Sequence, residues 1–137
     1  MTTQMIPAAD VSIDKIRQIF SGAFLETELT DDGKLIVSNE GIRVFVSVDK
    51  AKELITYLLL FGSRPGASMA DKLELANEIN SNLVFLRVWT FDAGIAIDYS
   101  LPYDGGLPPK QVFSAYQWLM KTAMGGLRQY DKKDLIP

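Results

Sequence analysis

The chain has 137 residues, 47% of them hydrophobic and 23% charged, which describes about one globular domain and excludes a disordered tract. Cysteine and histidine are both absent, so disulfides, thiolate chemistry, the commonest general base and the commonest transition-metal ligand are excluded. Fourteen basic against seventeen acidic residues give a net charge of −3, and the basic residues are scattered. A phosphate-backbone binder needs a basic stripe, so no nucleic-acid partner is expected.

The opening Met1 to Pro7 lacks a charged n-region and a long apolar run, unlike a signal peptide. The longest apolar run, Leu58-Leu59-Leu60-Phe61, is far short of a membrane span. The expectation is a soluble cytoplasmic protein with no membrane partner. Residues 1–9 and 131–137 read as tails flanking one domain over 10–130.

A first helix starts near Asp10 or Ser12, either of which can cap it by accepting backbone N–H bonds. Ile13, Ile16 and Phe20 mark its apolar face, and Gly22 marks its end. Leu25, Thr27 and Leu29 alternate with Glu26, Glu28 and Thr30 in a half-buried strand. Asp31-Asp32-Gly33 turns the chain into a short strand over 34–38, and Asn39-Glu40-Gly41 turns it again. Ile42, Val44, Val46 and Val48 form the clearest alternation in the chain. Leu54 to Phe61 is apolar on both faces and predicts a strand buried on both sides.

Ser68 caps a second helix, with Asp71 three residues on as in a capping box. Met69, Leu73, Leu75, Ala76 and Ile79 share its apolar arc. Asn80 falls inside that arc and Asn77 at its edge, and an unpaired buried amide costs roughly 1–3 kcal/mol, so both side chains are expected to tie the helix end to neighbouring backbone rather than to contact a ligand. Next comes a hairpin turning at Asp92-Ala93. Its register sets Val84, Leu86 and Val88 against Leu101, Tyr99 and Ile97. Phe85, Arg87, Trp89 and Phe91 then share the other face, with Arg87 directly across from Asp98. Asp104-Gly105-Gly106 turns the chain, and Pro109 opens a last helix whose apolar arc runs Val112, Ala115, Tyr116, Leu119, Ala123, Leu127 and Tyr130. Phe113, Met120 and Met124 widen that arc.

The order is α-β-β-β-(β)-α-β-β-α, an α+β fold with an antiparallel sheet. Three features carry a resemblance to a known family. Leu75-Ala76-Asn77-Glu78-Ile79-Asn80 places two asparagines three apart on a helix. Asp98-Tyr99-Ser100-Leu101-Pro102 ends a strand pair. Gly105-Gly106-Leu107 precedes a helix carrying Trp118. Over residues 12–130 the chain resembles the YbjN family of bacterial sensory transduction regulators. The resemblance implies a fold like that of type III secretion chaperones, a dimer, and no established catalytic residues.

No chemistry stands out beside it. Asp31-Asp32 reads as a solvated turn and Asp71, Glu74 and Glu78 as a solvated helix face, so no metal is expected. Gly105-Gly106 lacks the GxxxxGK[ST] or GxGxxG pattern of phosphate loops. No cofactor and no enzymatic activity are expected. The set Phe85, Arg87, Trp89, Phe91 and Asp98 is the candidate contact surface. Each aromatic carries about 150–250 Å², so together they approach the largest apolar patch of an ordinary monomer. The expected function is a non-catalytic, chaperone-like regulatory module that forms a homodimer and binds a protein segment, through this face or the Phe113–Met120–Met124 stripe. The alternative is a small-molecule sensor with a pocket between the sheet and the last helix.

Overall fold

A computed structural model describes residues 4–137; residues 1–3 of the N-terminal segment lie outside the described residues. It contains three α-helices and six strands among those residues: α1 (Ile13–Gly22), β1 (Glu26–Leu29), β2 (Leu35–Asn39), β3 (Ile42–Asp49), β4 (Leu54–Gly62), α2 (Met69–Asn82), β5 (Arg87–Phe91), β6 (Gly94–Pro102) and α3 (Pro109–Tyr130). The fold is α+β, with the strands in the order β1-β2-β3-β4-β6-β5 and the pairs β1–β2, β2–β3 and β5–β6 antiparallel. The chain gathers into two compact units. One holds the residues up to Tyr57 together with Ser100–Gln117, and the other Leu58–Tyr99 with Trp118–Pro137.

In the first unit, the Ser12 hydroxyl accepts the Lys15 N–H and starts α1. The β2–β3 loop is Glu40-Gly41, both at positive φ, the mirror-image turn that suits a two-residue hairpin. The core collects Ile16, Phe20, Val37, Val44, Val46, Ile55, Tyr57, Tyr103 and Tyr116. The Tyr57 hydroxyl donates to the Val112 carbonyl at 2.9 Å. Ile6 exchanges both backbone hydrogen bonds with Leu107, each 2.8 Å, so part of the segment read as a tail is tied down. Gly106 has φ of 119°, and a Cβ there would press on Met5 Cγ at 2.9 Å.

Tyr116 is buried against Phe20, ring centroids 5.4 Å apart, yet its hydroxyl has no hydrogen-bond partner among the described residues. Burial raises the pKa of Tyr116, and burial followed by the charges of Glu53 and Asp49 raises that of Tyr103. Both phenols are held neutral in the fold, whereas an unfolded phenol ionises near pH 10.0. Their share of stability is therefore complete below that pH and declines as pH rises past it. Tyr116→Phe removes an unpaired hydroxyl and keeps the ring. It is expected to raise the thermal midpoint by about 1–4 °C, and to remove one late-ionising group from an ultraviolet phenolate titration.

In the second unit, the Ser68 hydroxyl accepts the Asp71 N–H and starts α2. The buried face of α2 is Lys72, Leu75, Ala76 and Ile79. Met69 and Leu73, expected in this arc, are exposed, because the buried stripe centres on 72, 76 and 79 and leaves them at its edge or beyond. The expectation of a strand buried on both sides is also corrected. Ile55, Tyr57 and Leu59 of β4 are buried, while Leu58 is half-buried and Leu60 is exposed. The C-terminal segment is anchored at several points. Leu135 is buried, Arg64 N–H donates to its carbonyl, and the Asp131 carboxylate accepts the N–H groups of Leu135 and Ile136. Ion pairs join Arg64 to Asp134 and Lys133 to Asp71.

Candidate functional site

The β5–β6 hairpin follows the register read from the sequence: Arg87 lies opposite Asp98, Val88 opposite Ile97 and Trp89 opposite Ala96. Alternation then gives the hairpin two unlike faces. Val88 and Ile97 point into the core. Arg87, Trp89 and Phe91 point the other way, on the side of Asp98.

Asp98 organises that second face. Its carboxylate is buried and accepts Arg87 Nε at 3.0 Å and Arg87 Nη2 at 2.7 Å, a two-pronged pairing of guanidinium and carboxylate. Trp89 Nε1 donates to the same carboxylate at 3.2 Å. The charge and hydrogen bonds of Asp98 push the Arg87 pKa up, although the Arg87 side chain is 74% exposed. The guanidinium and the indole N–H both bind this one carboxylate, while the Arg87 side chain stays largely in water beside the Trp89 ring. Trp89 stays 41% exposed, with the half-buried Phe91 ring 6.3 Å away.

Leu60 extends this surface and was not expected in it. The Thr56 and Ser100 hydroxyls lie 3.1 Å apart, which puts the even positions of β4 on the sheet face that holds Ser100 and Asp98. Leu58 and Leu60 follow by alternation. The signal available in the sequence was the apolar residue at every position from Leu58 to Phe61, here understood as one face for the core and one left open.

Phe85 leaves the group to which the sequence assigned it. β5 begins only at Arg87, and Phe85 has φ of 70°, a left-handed backbone that breaks the strand alternation. Val84 and Leu86 therefore do not pair across from Leu101 and Tyr99. The Phe85 ring instead meets Tyr99 and Trp118 edge-on, each with centroids 6.1 Å apart. Tyr99 alternates with Asp98, so this second aromatic cluster belongs to the opposite face. Phe85 is 59% exposed and Trp118 45%.

The two asparagines separate. The Asn80 side chain reaches Val88 of β5, donating to its carbonyl at 3.0 Å and accepting its N–H at 2.9 Å, the backbone tie the sequence suggested. Asn77 is exposed on the solvent side of α2, its backbone carbonyl accepts the Ser81 hydroxyl, and the tie expected of its side chain is absent among the described hydrogen bonds. Gly105 and Gly106 both take positive φ in the turn before α3. Of the acidic candidates, Asp32 accepts the Thr30 hydroxyl and pairs with Lys34, while Asp71 pairs with Lys133; each carboxyl pKa is lowered, first by those hydrogen bonds. No group of three or more potential metal-ligating side chains occurs among the described residues, and no helix there is long and apolar enough to cross a membrane.

A cleft of about 330 Å³ lies between Phe61 of β4, Met124, Leu127 and Arg128 of α3, and the C-terminal segment. Another, of about 490 Å³, lies between residues 4–7, α1 and Pro109.

The chain is thus an α+β domain whose sheet leaves Leu60 and Trp89 partly exposed on the face that holds the Arg87–Asp98 pair. The chain belongs to the YbjN family: the family model described as "Putative bacterial sensory transduction regulator" matches residues 12–122. Among solved structures it is similar to one described as "Crystal structure of YbjN, a putative transcription regulator from E. coli", with a TM-score of 0.74 and 14% identity, covering 93% of this chain and 96% of that one. At that identity the likeness speaks for the fold. No curated protein matches the chain.

Proposed function

We propose that this protein is a non-catalytic regulatory module that acts by protein contact. It self-associates through the open sheet face of Leu60, Trp89 and Phe91, and the dimer presents a site for a protein segment. The observation that carries this reading is the Arg87–Asp98–Trp89 arrangement. The buried carboxylate holds the guanidinium and the indole N–H in place, so the exposed carbon surface of Trp89 and Leu60 is pre-set for a second apolar surface, with the water-exposed Arg87 at its rim. A second copy suits the face because its charges cancel within it, leaving no net repulsion between two identical copies. The family description as a regulator and the net charge of −3 favour regulation by contact with proteins over direct grip on a phosphate backbone.

Sedimentation velocity of wild type and Trp89→Asp tests the reading. Wild type is expected to sediment as a dimer at micromolar concentration. Trp89→Asp is expected to weaken the dimer by roughly 100-fold, as loss of a central interfacial aromatic does. A wild type that stays monomeric at those concentrations overturns it.

A second reading, a small-molecule sensor, is favoured by the 330 Å³ cleft, where the apolar Phe61, Met124 and Leu127 stand beside Arg128. The cleft also holds Asp131 and Asp134, so its mark is a rise in melting temperature with small metabolites that carry both charges, a rise that Arg128→Ala abolishes.

A further inference from the structure

The cleft of about 490 Å³ lies wholly within the first unit, between one face of α1, the strap of residues 4–7 and Pro109 at the start of α3. Its volume falls within the ~300–1,000 Å³ usual for small-molecule sites. Lys15, Gln18, Ile19 and Gly22 line it at spacings of three and four residues, so one whole face of α1 is turned to it. The strap is a fixed wall. Ile6 and Leu107 exchange both backbone hydrogen bonds, and Met5 sits so close to Gly106 that a Cβ there would lie 2.9 Å from its Cγ. A wall already in place leaves little for a ligand to order.

The lining is graded along α1. Asp10, just before the helix, and Lys15, in its first turn, bring one negative and one positive group to the same end of the cleft. Neither side chain is hydrogen-bonded or ion-paired among the described residues. Gly22 stands two turns further on, ~10 Å along the axis, and a Cβ there meets nothing within 4 Å. Between these ends the apolar lining comes from Met5, Ile6, Ile19 and Pro109.

We propose that this cleft binds a zwitterion with an apolar side chain, that is, an aliphatic α-amino acid. Charge sets the class. A simple anion such as a fatty acid is repelled by the Asp10 carboxylate, and a simple amine by the Lys15 ammonium, whereas a ligand with both charges uses each. The ligand's ammonium goes to Asp10, its carboxylate to Lys15, and its side chain lies along Ile19 toward Gly22. The site is separate from the sheet face and from the cleft beside Arg128, and rests on neither of those readings.

Titration of isotope-labelled protein with L-leucine, followed by amide chemical shifts, tests the proposal. Saturable shifts are expected at Ile6, Lys15, Ile19 and Gly22 below roughly 10 mM ligand. N-acetyl-L-leucine lacks the charged amine, L-leucinamide the carboxylate and glycine the side chain; each should bind roughly tenfold more weakly or worse. Asp10→Asn should weaken L-leucine by a similar factor and leave N-acetyl-L-leucine unchanged. Lys15→Gln should weaken L-leucine and leave L-leucinamide unchanged. Both side chains are unpaired, so the two variants should keep the wild-type melting temperature. No saturable shift at these amides, or equal affinity for L-leucine and its blocked forms, overturns the proposal. Shifts confined to Met124 and Arg128 also overturn it and assign the ligand to the other cleft.

Discussion

Gly94→Ala is expected to lower the thermal midpoint by about 10–20 °C, the largest effect of any single methyl added to this protein. A Cβ at Gly94 would collide with the Phe61 carbonyl oxygen and lie 2.8 Å from the Phe61 carbonyl carbon and 3.0 Å from Gly62 Cα. All three are backbone atoms of β4, so no rotamer change relieves the clash. The hairpin must move away from β4, and the Ser63 N–H to Ala93 carbonyl bond of 2.8 Å next to it is lost or stretched. Overpacking of this kind against unyielding backbone costs about 3–5 kcal/mol, and a chain of this length converts that into the stated shift. Gly62 is the internal control. A Cβ there meets only the Ala93 carbonyl, at 3.9 Å. Gly62→Ala should be neutral or stabilise by up to about 1 kcal/mol, because it narrows the unfolded ensemble without strain. Thermal unfolding of the two alanine variants side by side checks both expectations; equal midpoints would refute the close approach at Gly94.

Arg87→Ala is expected to cost more than Asp98→Ala, although the two residues form one ion pair. The Asp98 side chain is 7% exposed and the Arg87 side chain 74% exposed. Removing the arginine leaves a buried carboxylate with the Trp89 indole as its remaining donor among the described hydrogen bonds. Removing the aspartate releases an arginine already largely in water. A buried pair broken from one side typically loses 3–5 kcal/mol, but solvent gains access to Asp98 once its arginine cover has gone. The expected costs are therefore about 2–3 kcal/mol for Arg87→Ala and about 1–2 kcal/mol for Asp98→Ala. The double variant should lose less than the sum, with a coupling of about 1 kcal/mol or more measured by chemical denaturation. Trp89 fluorescence gives a second readout, since Asp98→Ala frees the indole N–H and shifts the emission, whereas Arg87→Ala leaves that bond in place. A coupling near zero would mean that Asp98 serves only the indole and that its pair with Arg87 does not order this face.

Much of this was legible because it is local. Ser12 and Ser68 cap helices for reasons contained within four residues. The hairpin register could be read because two patterns, apolar opposite apolar and Arg87 opposite Asp98, agree on one alignment and a one-residue slip would break both. The Asn80 tie was foreseeable because an amide within an apolar arc must find partners. Phe85 was misplaced because strand alternation was carried two residues past the point where its φ turns positive, and no neighbouring glycine or proline marks that point. Nothing local marks Lys72 as buried, because its partners are two carbonyls about twenty residues away. Leu60 reads as core in the sequence because an apolar residue looks the same there whether or not something lies over it.

The sequence by itself determined the element order, the helix caps, the turn positions, the pairing of Arg87 with Asp98 and the family, because periodicity, capping and charge opposition act between residues close in the chain or locked to a short turn. Packing, and not local pattern, made Asp98 buried while Arg87 is not, set Phe85 with Trp118 rather than Trp89, left no room for a methyl at Gly94, and brought Asn80 and Lys72 of α2 onto the backbone of the β5–β6 hairpin. Each of these depends on which surface a distant segment covers, and burial is a property of the packed chain that no local pattern encodes.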